Sequence, residues 1–338
     1  MSALPTPLHA SFTGTHVDDQ ASRLRALVNA VQVGSSRVPM PTQDPALRRC
    51  PVIAVTSGKG GVGKTSTCVN LAISFATRGC RATLLDADLG LANADVMCGL
   101  SPTTRLDCAI GSRSSPHAAS RLGPGATVRP EQRRSLAQIA VEAPGGFRLV
   151  PGAVGLTRMA NLNQADQETL VRGLVDLERM SDLVIIDTGA GIGSGVTSFV
   201  EAADLALVVV TPEPTSIADA YALIKCVWPG MRARGAAPGS IALCVNNVLT
   251  HAEAEEVHAR IAATCTRFLG FTPSLAGSVR HDEAAIEAVR RRVPLLSSGC
   301  KSLAGRDITD LATSLARLAR VGGLAPVKRG FWARFLGR

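Results

Sequence analysis

The stretch from Val52 to Asn70 reads VIAVTSGKGGVGKTSTCVN, and its reading decides the fold. An apolar strand, Val52 to Val55, enters a glycine-rich turn, and a helix is expected to begin near Lys64. Gly58, Gly63, Lys64 and Thr65 fit G-x-x-x-x-G-K-[ST] in the strand–turn–helix context that this pattern needs. Gly60, Gly61 and Gly63 let the backbone take positive φ, so that successive N–H groups curl around a phosphate. The helix N-terminus adds its partial positive charge. The expected phosphate cradle is therefore Gly58, Lys59, Gly60, Gly61, Val62, Gly63, Lys64, Thr65 and Ser66. Lys64 supplies charge to the β- and γ-phosphates, and Thr65 offers a hydroxyl to Mg²⁺.

A second lysine, Lys59, stands in the same turn. The whole chain has only five lysines (Lys59, Lys64, Lys225, Lys301 and Lys328), so two in one loop are not background. The spacing alone places Lys59 near phosphate. The run GKGGVGKT resembles the deviant Walker A motif of the MinD/ParA family of ATPases. That resemblance implies an ATP-sandwich homodimer in which Lys59 reaches the partner's phosphates, with Lys59 and Lys64 both serving catalysis.

Composition bounds the rest. A chain of 338 residues holds one large α/β domain with tails, or two small domains. Hydrophobic content of 46% with only 3% aromatics suits a core of aliphatic strands. Nine cysteines, odd in number and never in C-x-x-C spacing, argue for a reduced cytosolic protein without a disulfide framework or zinc site. The first thirty residues lack an apolar signal core, and no stretch is long enough to span a bilayer. The net charge of +9 concentrates in a C-terminal tail whose Arg317, Arg320, Lys328, Arg329, Arg334 and Arg338 have no acid among them.

Residues 1–49 read as an arm outside the main domain: a polar start, a helix from Val17 to Val31, then a linker from Gly34 to Pro51. The helix carries Asp19-Gln20-Ala21-Ser22-Arg23-Leu24-Arg25, which matches D-Q-A-x-x-L-R. That motif marks FlhG/FleN, the flagellar branch of the MinD/ParA family. There it activates a partner GTPase of the FlhF type, which implies that Asp19, Gln20, Ala21, Leu24 and Arg25 bind that partner. A helix that merely packs on its own domain is the plainer alternative.

The main domain is expected over 50–322. A strand from Ala82 to Leu85 delivers Asp86-Ala87-Asp88 at its carboxyl end, where carboxylates beside a phosphate loop hold Mg²⁺ or position water. DADLGLANAD resembles the family's switch I, which implies that Asp88 orients the attacking water; capping of the following turn is the alternative. Residues 112–135 break the pattern as a basic insertion rich in proline, glycine and serine. A strand at Phe147–Val150 and a helix at Gln167–Arg179 follow. Then Leu183-Val-Ile-Ile-Asp187 reads as a buried parallel strand presenting Asp187 to Mg²⁺. Leu205–Thr211 and Ile241–Val245 are two further apolar strands. The family implies that Thr211–Ala220 flanks the site, that Asn246 contacts adenine, and that residues 276–295 hold the last strand and the base loop.

A helix from Ile308 to Arg320 closes the domain, and 323–338 form a tail. Phe331, Trp332, Phe335 and Leu336 share one helical face with basic residues off it, the pattern of a membrane-surface segment. It resembles the family's membrane-targeting tail; an aromatic tail folded back on the domain is the alternative.

The fold expected is a doubly wound, mostly parallel α/β sheet of the P-loop type, with an N-terminal helical arm and a C-terminal amphipathic tail. The function expected is an ATP- and Mg²⁺-dependent dimerisation and membrane-association switch that sets flagellar number or placement. Its expected partners are an FlhF-type GTPase, an anionic membrane surface on the inner face of the cell membrane, and a flagellar basal-body component. Nucleic acid is not an expected partner. The rivals are a division-site MinD and a ParA-type partitioning ATPase, which would bind DNA with strong salt dependence. An iron–sulfur carrier would need paired cysteines that the spacing does not supply.

Overall fold

A computed structural model of the chain describes residues 50–88, 91–106, 108, 135–152, 173, 175–299 and 301–319. The expectations for the arm, for 112–134 and for the tail lie outside the described residues, as does 167–172 of the helix expected at Gln167–Arg179; residues 175–180 are helical.

Eight strands form one sheet: β1 (Val52–Ser57), β2 (Ala82–Ala87), β3 (Val141–Glu142), β4 (Arg148–Val150), β5 (Leu183–Ala190), β6 (Leu205–Val210), β7 (Ile241–Val248) and β8 (Ser274–Arg280). Their spatial order is β3-β4-β2-β5-β1-β6-β7-β8. All neighbours pair in parallel except β3 with β4, which pair antiparallel at one edge. The sheet is doubly wound, as expected. β3 was not foreseen, because two residues leave no period to read.

The strands are apolar on both faces, and each face meets its own helices. Val52 and Ala54 join Ile186, Val208 and Leu243 in one core cluster. That cluster is closed by α4 (Ser194–Ala202), α5 (Pro214–Ala233) and α6 (His251–Leu269). Ile53 and Val55 join Ile185 and Leu207 in the other, closed by α1 (Lys64–Ala76) and α8 (Leu303–Leu318). α8 begins earlier than the expected Ile308, because Ser302 caps it by accepting the Gly305 N–H. Shorter helices are α2 (Ala94–Met97), α3 (Leu136–Ile139) and α7 (Glu283–Arg291). No helix among the described residues is long and apolar enough to cross a membrane.

β1 is the topological switch. From it the chain runs outward to β2 and on to the edge strand β3, comes back through β4 to β5, and then crosses β1 to reach β6. In open sheets of this kind ligands bind where strands on either side of such a point part company, at their carboxyl ends. The glycine-rich loop leaves β1 at that place.

Candidate nucleotide site

The loop is set by its last strand residues. The β1–β5 register shifts between Val55 and Ser57, so β1 bends as it ends. The Thr188 hydroxyl donates to Val55 O at 3.1 Å, and Gly191 N–H donates to Ser57 O at 2.9 Å. The loop entry is thereby tied to the segment after β5. Ser57 Oγ then donates to Lys59 O at 2.6 Å.

Two glycines are required by what they touch. A Cβ on Gly58 would stand 2.1 Å from the backbone oxygen of Asp219 in α5, a contact that only a backbone shift could relieve. Gly63 has φ of 90° and lies against Asn246, whose Nδ2 donates to Val62 O at 2.8 Å. Gly61 shares the positive φ, at 79°; Gly60 is not among the positive-φ residues, so the sequence reading of three such glycines reduces to two. Asn246 therefore clamps the loop, a role the sequence did not show; in this conformation its amide N–H serves Val62.

The two lysines occupy different environments. Lys64 is the first residue of α1 and is buried. Lys59 stays at the surface, where Nζ lies 2.6 Å from Glu213 Oε2 and 3.2 Å from Thr215 Oγ1. Glu213 precedes α5 and Thr215 is in its first turn, so the segment Thr211–Ala220 does flank the loop. Nothing in the sequence marked Glu213 as the partner of Lys59.

The carboxylates gather beside the loop. Asp86 and Asp187 are direct neighbours on the paired strands β2 and β5. The strand expected to end at Leu85 includes Asp86 and Ala87. Asp86 accepts the N–H groups of Asp88 at 3.1 Å, Asn93 at 3.0 Å and Ala94 at 3.1 Å. For Asp86 the turn-capping alternative is therefore what the geometry favours. Burial, and then the neighbouring Asp187 carboxylate, push its pKa up to about 7. Asp88 accepts the Leu91 N–H at 3.1 Å and lies beside Gly189 of β5.

Asp187 is the unsettled group. It is buried, and neither oxygen makes a well-formed hydrogen bond, although the Thr65 hydroxyl and the Cys68 thiol are close by. Burial pushes its pKa up to about 6, although nearby Thr65, Lys64 and Cys68 pull it down. A buried carboxylate without donors is costly unless a ligand completes it. Thr65 and Asp187 fit a Mg²⁺ ion, a hard cation that takes oxygen ligands and keeps several waters. Among the described residues no cluster of three or more His, Cys, Asp or Glu is placed as a metal cage, so such an ion would lean on phosphate and water.

Known proteins resemble this chain in sequence and fold. A family model described as AAA domain matches residues 50–229. Antiactivator FleN of Pseudomonas aeruginosa is 38% identical over 241 residues, covering 71% of this chain and 77% of that protein. Flagellum site-determining protein YlxH of Helicobacter pylori is 35% identical over 176 residues, 51% of this chain and 52% of that protein. The MinC:MinD cell division protein complex of Aquifex aeolicus superposes with a TM-score of 0.57 at 25% identity, over 83% of this chain and 99% of that one.

Proposed function

The chain belongs to the MinD/ParA family of ATPases, in its flagellar FlhG/FleN branch, and from that premise we propose that it is an ATP-timed switch regulating flagellar number or placement. ATP binding pairs two copies, the pair associates with the inner face of the cell membrane, and hydrolysis releases it. The observation that carries this reading is the separation of the two lysines. Lys64 is buried beside Asp187, where it serves its own loop's phosphates. Lys59 is held at the surface, where it can be handed to the phosphates of a second copy. Leu91 and Ile192, which follow Asp88 and Gly191, are apolar and exposed at 77% and 56%, a surface that a partner copy would cover.

Within each site Thr65 and Asp187 would hold Mg²⁺, whose charge would offset that of the bound phosphates. Lys64 and the loop N–H groups from Gly58 to Ser66 grip those phosphates, and Asn246 braces the loop through Val62. Asp88 positions the attacking water. Outside this core, the D-Q-A-x-x-L-R helix at Asp19–Arg25 stimulates an FlhF-type GTPase, and Phe331, Trp332, Phe335 and Leu336 enter an anionic membrane surface. A basal-body component is a further partner in this reading. One such tail is marginal, whereas two on a dimer gain about 10²–10⁴ in avidity.

The test is size-exclusion chromatography of the Asp88→Ala variant with ATP and Mg²⁺, followed by pelleting with anionic vesicles. Loss of the water-positioning carboxylate should trap the dimer and hold it on vesicles. A monomer with ATP demonstrably bound would sink the switch.

A further inference from the structure

We propose that Asn247 and His281, at the carboxyl ends of β7 and β8, select the base of the nucleotide, so that the site takes adenine and rejects guanine. The strand order fixes where the base must lie. Asp86 and Asp187 stand on β2 and β5, on one side of β1, and the terminal phosphates with their metal belong on that flank. The nucleoside end therefore leaves the loop toward the other flank, where β6, β7 and β8 finish. β7 is two strands from β1, about 10 Å, which an α-phosphate and a ribose span. Asn246 of β7 already touches the loop there through Val62.

The residue after Asn246 breaks the strand's pattern. Asn246 pairs with Val279 and Val248 with Arg280, so Asn247 is one residue too many and forms a bulge. Its φ is 61°, and among the described residues only Arg292 is another non-glycine with positive φ. Bulges re-aim side chains beside binding sites, and backbone outliers gather in the same places. The Asn247 side chain is also fixed. The His281 ring Nδ1 lies 2.8 Å from Asn247 Oδ1, so the ring carries a proton at that nitrogen and donates it. Nε2 of the same ring faces Glu283 Oε1 at 3.5 Å, and the His281 backbone N–H donates to Val248 O at 2.8 Å.

The two asparagines present opposite ends of their amides. Asn246 gives an N–H to Val62 O, which leaves its Oδ1 to accept. Asn247 has its Oδ1 occupied by His281, which leaves its N–H groups to donate. Neither amide has a further partner among the described residues. An acceptor beside a donor matches the edge of adenine, whose amino group donates and whose ring nitrogens accept. Guanine carries a carbonyl where adenine has the amine. An amide free to rotate would serve either base by turning over. These two are locked by Val62 and His281, so guanine would set its carbonyl against Asn246 Oδ1. Such a mismatch costs about tenfold or more in affinity. His281 acts through Asn247 and is a positioning residue. The inference rests on the nucleotide-site reading and is independent of dimerisation and of the flagellar assignment.

The experiment is isothermal titration calorimetry of the full chain with ADP, GDP and inosine diphosphate, each with Mg²⁺, so that binding is read without turnover. Inosine carries the guanine carbonyl without the second amine, which separates edge chemistry from bulk. ADP is expected to bind about tenfold or more tighter than either of the others. Asn247→Gly should reduce that preference several-fold while melting as high as the parent, because a φ of 61° suits glycine. His281→Ala should reduce it too, and His281→Asn, which keeps an N–H donor, should retain more of it. Equal binding of ADP and GDP by the parent overturns the proposal, and so does inosine diphosphate binding as tightly as ADP. A preference that Asn247→Gly or His281→Ala leaves unchanged overturns it, as do equal preferences in His281→Ala and His281→Asn. A chain that binds no ADP would remove the nucleotide site itself, and the inference with it.

Discussion

Strand β5 has an aspartate just before it and another within it, and the two live in opposite circumstances. Asp182, at the amino end, accepts the Arg81 backbone N–H at 3.0 Å and two bonds from the Arg81 guanidinium at 3.1 and 2.7 Å. Nearby, Asp204 Oδ2 accepts the Val52 N–H at 3.0 Å at the entry to β1. These acids are completed by the fold itself. Asp187, five residues on from Asp182, is buried with neither oxygen in a well-formed hydrogen bond and sits beside a second carboxylate, Asp86. The fold supplies partners where an acid only anchors a strand. It leaves Asp187 without one, and in the reading proposed above Mg²⁺ would complete it.

The sharpest way to break that contrast is to remove the cation of the carboxyl edge. Lys64→Ala should lower ATP turnover by about 10²–10³-fold, the usual cost of losing one preorganised charge at a reacting centre. Phosphate release over a range of ATP concentrations checks it. A variant retaining most of its turnover would mean that the buried lysine is a strand-edge anchor like Asp182.

Asp187→Asn should have the next largest effect, and its sign is opposite to that of an anchoring residue. Because burial raises the Asp187 pKa from the ordinary 3.8 to about 6, the metal-free native state binds a proton more readily than the unfolded chain. Its stabilisation is therefore full below pH 4 and is lost as pH rises through about 6. Ionised Asp187 then costs the metal-free protein roughly 3 kcal/mol, at about 1.4 kcal/mol per pKa unit. In EDTA at pH 8 the Asn variant should melt several degrees higher than the parent. With Mg²⁺ and nucleotide the order should reverse. A variant that melts lower in EDTA would show that Asp187 anchors the fold.

Much of this contrast was legible in the sequence, and the part that was not is instructive. VIAV, LVIID, LALVVV and IALCV could be read as strands because a strand buried on both faces has no polar positions to confuse it. Asp86 and Asp187 could be placed near the loop by order along the chain. Their direct pairing could not, because register between strands about 100 residues apart is set by packing. The Lys59–Glu213 contact, the approach of Asp219 to Gly58 and the Asn246 clamp on Val62 all join distant segments through side chains.

Lowering pH should give a smaller effect in the same direction as removing the ligand. As pH falls through about 6, Asp187 takes up a proton and ceases to attract a cation. The Mg²⁺ concentration needed for half-maximal turnover should therefore rise between pH 7.5 and 6. A Mg²⁺ requirement that stays flat over that range would remove Asp187 from the metal site.

The smallest effect belongs to the amino edge, and it tests the other half of the comparison. Arg81 and Asp182 are 61% and 39% exposed, so their ion pair is screened by water and competes with hydration of both groups. Arg81→Ala deletes the guanidinium but leaves Asp182 accepting the backbone N–H of residue 81, which is the bond that fixes the entry to β2. The variant should melt within experimental error of the parent, in EDTA and with Mg²⁺ and nucleotide alike, and its ATP turnover should not change. A shift as large as that of Asp187→Asn would mean that the exposed pair carries as much of the fold's energy as the buried orphan, and the difference between the two ends of β5 would then lie in sequence position alone.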